Sequence, residues 1–179
     1  MIKRLLYSLI SAIFIGIGLV MVIGAGLPNR ADFTGYRLPN SARPIAPEIN
    51  AIAPAFPLLD SYRGQPIILN FWATWCEPCL VEMPDLQRLY DEFGDNGLVI
   101  LAMNLGEAGN IVDEWRARLG LTFLISIDDG QVARLYRLRT QPTTFIISPE
   151  GVITHIFHGT IHLDTVRSAI KPYFSSFLG

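Results

Sequence analysis

Between Gln65 and Ala73 the chain reads QPIILNFWA, nine residues without a charge. A short apolar run of this kind fits a strand buried on both faces. Such a strand needs covering layers above and below it, so it constrains the fold to a sheet sandwiched between other elements. Helical and strand-like patterns alternate after it. From Cys79 to Phe93, Met83, Leu86, Tyr90 and Phe93 recur at helical spacing, with Pro84 inside the segment removing one backbone bond and expected to kink it. Leu98 to Asn104 is a second buried strand. Glu107 to Leu119 then places Ile111, Val112, Trp115 and Leu119 on one helical face and stops at Gly120. Leu121 to Ile127 reads as a third strand, and Gln131 to Tyr136 as a short helix. Thr143 to Ser148, the turn SPEG and Val152 to His158 form an expected antiparallel hairpin. A last helix, His162 to Leu178, buries Leu163, Val166, Ile170 and Phe174. Strands separated by helices and closed by a hairpin predict an α/β fold, a mixed central sheet with helices on both faces.

The N-terminal part has a different character. Leu5 to Leu27 carries no charge for 23 residues and follows Lys3 and Arg4. At ~1.5 Å per residue this run is long enough to cross a ~30 Å hydrocarbon layer. The apolar stretch of a cleaved signal peptide is only ~7–15 residues, so residues 1–27 are expected to be an uncleaved transmembrane anchor. Its basic flank stays on the cytoplasmic side, which delivers the rest of the chain to the far side, where a disulfide persists. Residues 28–57 then hold six of the twelve prolines, Pro28, Pro39, Pro44, Pro47, Pro54 and Pro57, with no apolar period. Residues 28–54 are therefore expected to be a semi-extended tether, and 55–179 the folded domain. Of 179 residues, 50% are hydrophobic and 17% charged, enough for one core, and a net charge of −2 gives no footprint for nucleic acid.

The two cysteines of the chain, Cys76 and Cys79, fall at the junction between the first strand and the first long helix. The first turn of a helix offers free N–H groups and the positive end of its dipole, so a thiolate at its start is stabilised. Cys76 is accordingly expected to attack and Cys79, one turn further in, to resolve the mixed disulfide. A structural staple is a poor alternative, since closing a loop this short contributes only ~2 kcal/mol against ~4.7 for a loop of a hundred residues. A zinc site needs about four ligands, and the chain has no second cysteine pair; His155 and His158 would point to opposite faces of a strand. A c-type haem site would need histidine at position 80, which is Leu80. No metal is expected. No GxGxxG or P-loop follows any strand, so no nucleotide cofactor is expected either, and electrons must arrive through another dithiol.

The segment FWATWCEPC, with Asn70 before it and Glu82-Met83-Pro84 after it, Gln141-Pro142-Thr143-Thr144-Phe145, and Pro149-Glu150-Gly151 together resemble the thioredoxin superfamily. Within it they resemble the membrane-tethered TlpA, ResA and CcmG group of extracytoplasmic thiol-disulfide oxidoreductases, over Ala55 to about Phe174. The resemblance implies a thioredoxin-like fold in which Pro142 is cis and faces the active-site sulfur, leaving the backbone of Gln141 to pair with an extended substrate. Trp75 is implied as a partly exposed substrate contact, with Trp72 packed inside. Glu82, three residues after Cys79 and so on the same helix face, is implied as a partly buried carboxylate that moves protons to or from the resolving thiol. Glu77 and Pro78, between the cysteines, are the tuning positions; an acid at 77 opposes ionisation of Cys76 and argues for a reductant. The implied substrates are protein disulfides, apocytochrome c among them, and the implied electron donor is a membrane conduit of the CcdA or DsbD kind. General disulfide oxidation or isomerisation, peroxide reduction and a redox-inert anchored binding module are the alternatives. Peroxide reduction is disfavoured because ATWC lacks the proline that precedes a peroxidatic cysteine.

Overall fold

The structure is a computed structural model and describes residues 43–174. The expected anchor over 1–27, the tether before Arg43 and the last residues of the expected final helix lie outside them. Among the described residues no helix is long and apolar enough to cross a membrane.

In chain order the elements are α1 (Pro57–Asp60), β1 (Ile67–Trp72), α2 (Glu77–Phe93), β2 (Val99–Asn104), α3 (Gly109–Leu119), β3 (Leu124–Ile127), α4 (Gln131–Leu135), β4 (Thr143–Ile147), β5 (Ile153–His158) and α5 (Leu163–Ile170). The sheet has the order β3-β2-β1-β4-β5. β1 runs parallel to β2, and β2 to β3, while β4 is antiparallel to both β1 and β5. The steps from β1 to β2 and from β2 to β3 go the same way, so right-handed crossovers place α2 and α3 on one face. The buried cluster on that face joins Cys79, Met83, Leu86 and Leu89 of α2 to Val112 of α3 and to Val166 and Ile170 of α5. Phe56, Leu59 and Tyr136 cover the other face.

This layering accounts for the composition of the opening run. Successive side chains of a strand point to opposite faces: Ile68 and Trp72 enter the first cluster, and Ile67, Leu69 and Phe71 the second. All six residues of β1 are buried. By contrast β3, at the sheet edge, leaves Leu124 and Ile127 exposed.

Three expectations are corrected. The stretch ahead of residue 55 is not all tether. Asn50 N–H donates to the Ile153 carbonyl at 2.8 Å, Ile153 N–H to the Ala51 carbonyl at 2.9 Å, and Ala53 N–H to the Gly151 carbonyl at 2.9 Å, so residues 50–53 form a strap along β5. The strap needs no apolar period because backbone groups make its contacts and its buried side chains, Ala51 and Ala53, are small. On α3, Ile111 is exposed while Val112 is buried; the two lie about 100° apart around the helix, and only the narrower face meets the core. Finally, α5 ends at Ile170 and continues as a 3-10 turn over Lys171–Tyr173, because Pro172 has no N–H to continue the α-helical bonding. Phe174 still reaches the core and packs on Phe93 with ring centroids 4.8 Å apart.

The register also fixes where a site can form. The C-terminal ends of the three parallel strands, the start of β4 and the end of β5 share one end of the sheet, with Trp72 opposite Asn104, Phe71 opposite Thr143 and Thr143 opposite His158. Loops 73–76, 105–108, 139–142 and 159–162 therefore converge there, the usual position for a site in sheets of this kind.

Candidate active site

Cys76 is the N-cap of α2, in extended conformation, and Cys79 lies in the first turn. They form a disulfide, with Cα atoms 5.2 Å apart. Glu77 and Pro78 occupy the first two helical positions, where a proline is tolerated because an N–H there has no intrahelical acceptor. Both are exposed at the surface. The Cys76 carbonyl accepts from the N–H groups of Cys79 (3.0 Å) and Leu80 (3.1 Å), which sets the helix start at the thiol itself. Cys76 is 5% exposed and Cys79 fully buried, so Cys76 is the sulfur an incoming group can reach.

Behind the pair lies Glu82, fully buried and, at three residues past Cys79, on the same face of α2. One carboxylate oxygen accepts from the Asn70 side-chain amide at 2.7 Å and the other from the Ile161 N–H at 2.9 Å. The same Asn70 amide donates to the Thr144 hydroxyl at 2.9 Å. Burial penalises the charge more than the two donors stabilise it, and the Glu82 carboxyl is pushed up to about 7. A carboxyl in that range exchanges a proton readily near neutral pH.

In the loop before β4 the Gln141–Pro142 bond is cis. Pro142 is buried, directly before β4, and its carbonyl accepts the Gly159 N–H at 2.9 Å. Gly159 holds φ +88°, a conformation costly for a residue with a Cβ, as the chain leaves β5 for the loop that brings Ile161 to Glu82. Gln141 is half-buried. Trp75 projects from the loop before Cys76 with 64% of its surface exposed, whereas Trp72 is fully buried.

Sequence reasoning named Glu82 but missed Asn70, Thr144 and Ile161, its surroundings. A signal for Asn70 was present: it is the one amide inside an otherwise apolar, doubly buried strand after Pro66, and a buried amide requires a partner. Ile161 carried no signal, because it contributes only its backbone N–H. Glu107 and Thr74 form a second pairing at this end of the sheet that the spacing did not reveal.

The model of the AhpC/TSA family matches residues 55–156. The thiol-disulfide oxidoreductase ResA of Geobacillus kaustophilus is 42% identical over 118 residues, covering 64% of this chain and 68% of its own length. The thioredoxin-like protein YneN of Bacillus subtilis is 34% identical over 160 residues, 82% of this chain and 89% of its own. Among solved structures, StoA from Bacillus subtilis superposes with a TM-score of 0.54 at 29% identity, over 59% of this chain and 82% of that one.

Proposed function

The chain belongs to the AhpC/TSA family, among its thioredoxin-like relatives, and from that premise we propose that it is a thiol-disulfide oxidoreductase working as a protein-disulfide reductase. The observation that carries the reading is the Cys76–Cys79 disulfide at the N-terminus of α2 with the buried Glu82 one turn behind it. In the reducing cycle the Cys76 thiolate attacks one sulfur of a substrate disulfide. The other substrate sulfur leaves as a thiolate and takes up a proton, and a mixed disulfide remains. Cys79 gives its proton to Glu82 and attacks the Cys76 sulfur, and the second substrate thiolate leaves and is protonated. The substrate has gained two electrons and two protons, and the chain holds its own disulfide. Substrate backbone pairs with Gln141 beside the cis Pro142, and Trp75 covers it from the loop. Paired cysteines at a helix start support dithiol exchange over peroxide reduction, which needs a single peroxidatic thiol.

The uncharged run Leu5–Leu27 behind Lys3 and Arg4 supports a single-pass anchor with the catalytic domain outside the cytoplasm. From that position the disulfide is re-reduced by a membrane dithiol conduit of the CcdA or DsbD kind, and the substrate is an oxidised CxxCH of apocytochrome c. Trapping tests the cycle: with Cys79→Ala in cells, Cys76 stays bonded to its partners, and mass spectrometry identifies them. Failure to trap any disulfide partner overturns the reductase reading. Trapped partners without an apocytochrome remove that substrate and leave the activity in place.

A further inference from the structure

Parallel pairing in register from Ile67–Val99 to Trp72–Asn104 means that the segments leaving β1 and β2 emerge side by side at the site. β1 continues into Ala73, Thr74 and Trp75 and reaches Cys76; β2 continues into Leu105, Gly106 and Glu107. Leu105 N–H still donates to the Trp72 carbonyl at 3.0 Å, the last rung between them. Gly106 then takes φ +78°, and a Cβ on it would come within 3.4 Å of the Asp128 carbonyl oxygen. This reversal is pinned by Gly106 N–H to the Asn104 carbonyl (2.9 Å) and by Glu107 N–H to Asn104 Oδ1 (3.0 Å). It swings the Glu107 carboxylate across to the neighbouring loop, where it takes both donors of Thr74. The Thr74 N–H donates to Oε2 at 2.7 Å and the Thr74 hydroxyl to Oε1. The fully buried Asn104 adds its side-chain amide to Oε2, also at 2.7 Å.

We propose that Glu107 is a positioning residue for disulfide exchange, a clamp that holds Thr74 and thereby fixes the loop presenting Trp75 and Cys76 to the substrate. The role rests on the reductase reading above. The two ends of the loop are anchored, Ala73 and Cys76 by burial and Cys76 also by the disulfide, but between them Thr74 and Trp75 project away: the bond that spans them is Cys76 N–H to the Ala73 carbonyl at 3.2 Å, and the Trp75 ring stands in solvent. Three charge-assisted hydrogen bonds converging on one carboxylate are roughly twice as strong as neutral ones and fix direction as well as distance. Burial works against the charge on Glu107, but the donors from Thr74 and Asn104 outweigh it and hold the carboxyl below its usual range. Glu107 thus stays an anion while Glu82 trades its proton.

The full-length chain with Glu107→Gln, Thr74→Val and Thr74→Ser tests the clamp on insulin reduction and on a small soluble disulfide. Glutamine keeps one acceptor oxygen and turns an NH2 toward a donor; valine removes the hydroxyl; serine keeps both donors. The expected result is a KM for insulin raised about tenfold in Glu107→Gln and Thr74→Val, the equivalent of ~1.4 kcal/mol, with kcat on the small disulfide within about twofold. Thr74→Ser rescues, and the double variant is no worse than the poorer single variant, because both changes cut the same interaction. Independent losses that multiply, or wild-type kinetics in Glu107→Gln, overturn the proposal. Should Glu107→Gln not fold, Thr74→Val against Thr74→Ser makes the same comparison. A wild-type chain that reduces neither disulfide defeats the reductase reading instead, and the clamp is then read from a fluorotryptophan label at position 75. A 19F resonance that shifts or broadens in Thr74→Val and not in Thr74→Ser supports the clamp, and one unchanged in both overturns it.

Discussion

Glu82 has no exposed surface and two donors on its carboxylate, the Asn70 amide and the Ile161 N–H, whereas the half-buried Glu107 has three. That difference in solvation and donors sets their charge. For Glu82 the folded carboxyl sits at about 7 against 4.5 for a free side chain, so between those values the folded chain binds more protons than the unfolded one. Stability from this group is then fully present below about pH 4.5 and is lost as the pH rises through about 7. Glu82→Gln removes the titration. With the disulfide intact, urea midpoints should show the variant gaining on the wild type by up to roughly 3 kcal/mol between about pH 4 and about pH 8.5. The amide also forfeits one acceptor, an offset of about 1 kcal/mol that does not change with pH. An equal slope in both proteins would mean that Glu82 does not carry the proton. The cysteine pair stood out in the sequence by its spacing at a helix start, whereas the role expected of Glu82 came from the family resemblance, its spacing alone fitting a solvated first-turn acid. Their surroundings were not legible: Asn70 is 12 positions from Glu82, Ile161 is 79, and Thr74 is 33 from Glu107. Strand register brings those pairs together, and no local pattern encodes it.

At the scale of elements, the strands that the sequence marked most clearly are the ones buried on both faces. β1 and β2 have every residue buried, so an unbroken apolar run was a faithful signal. β3 was harder to delimit because an edge strand is half in solvent: it begins at Leu124, three residues after the expected start. The strap was missed for a related reason, since a segment held by backbone groups leaves little trace in side-chain pattern. It docks at the hairpin turn, Ser148–Gly151, the end of β4 and β5 opposite Pro142 and the cysteines. A chain starting at Ala55 loses the three strap bonds to the hairpin, the bond from the Tyr136 hydroxyl to the Pro54 carbonyl at 2.9 Å and the exposed Arg137–Glu48 ion pair, which adds little. At ~0.5–1.5 kcal/mol each, the loss is about 4 kcal/mol. For a domain of this size that lowers Tm by roughly 10–15 °C. Calorimetry of the two chains measures it. A truncated chain that melts with the full one would show the strap to be energetically idle.

For the molecule as a whole, direction of electron flow is a free-energy difference between dithiol and disulfide. A strongly oxidising member of this superfamily reaches about −120 mV by over-stabilising its reduced thiolate, whereas thioredoxin lies near −270 mV. Here the helix N-terminus favours the Cys76 thiolate, while Glu77 follows it directly and the anionic Glu107 holds the residue two before it. Cys79 is buried with a carboxyl behind it, which disfavours a second thiolate. The dithiol is therefore a ready electron donor, with an expected potential at or below about −270 mV, which equilibration with glutathione or dithiothreitol at pH 7 measures. The share owed to Glu77 is bounded by its exposure. A charge about 4 Å away in water is worth ~1 kcal/mol, less with salt, and ~1.4 kcal/mol corresponds to ~30 mV for a two-electron couple. Glu77→Gln should thus raise the potential by no more than about 20 mV, and by less as ionic strength increases. A shift several times larger would place Glu77 in direct contact with the thiolate after reduction. A wild-type potential near −120 mV would reverse the direction and make the chain an oxidant.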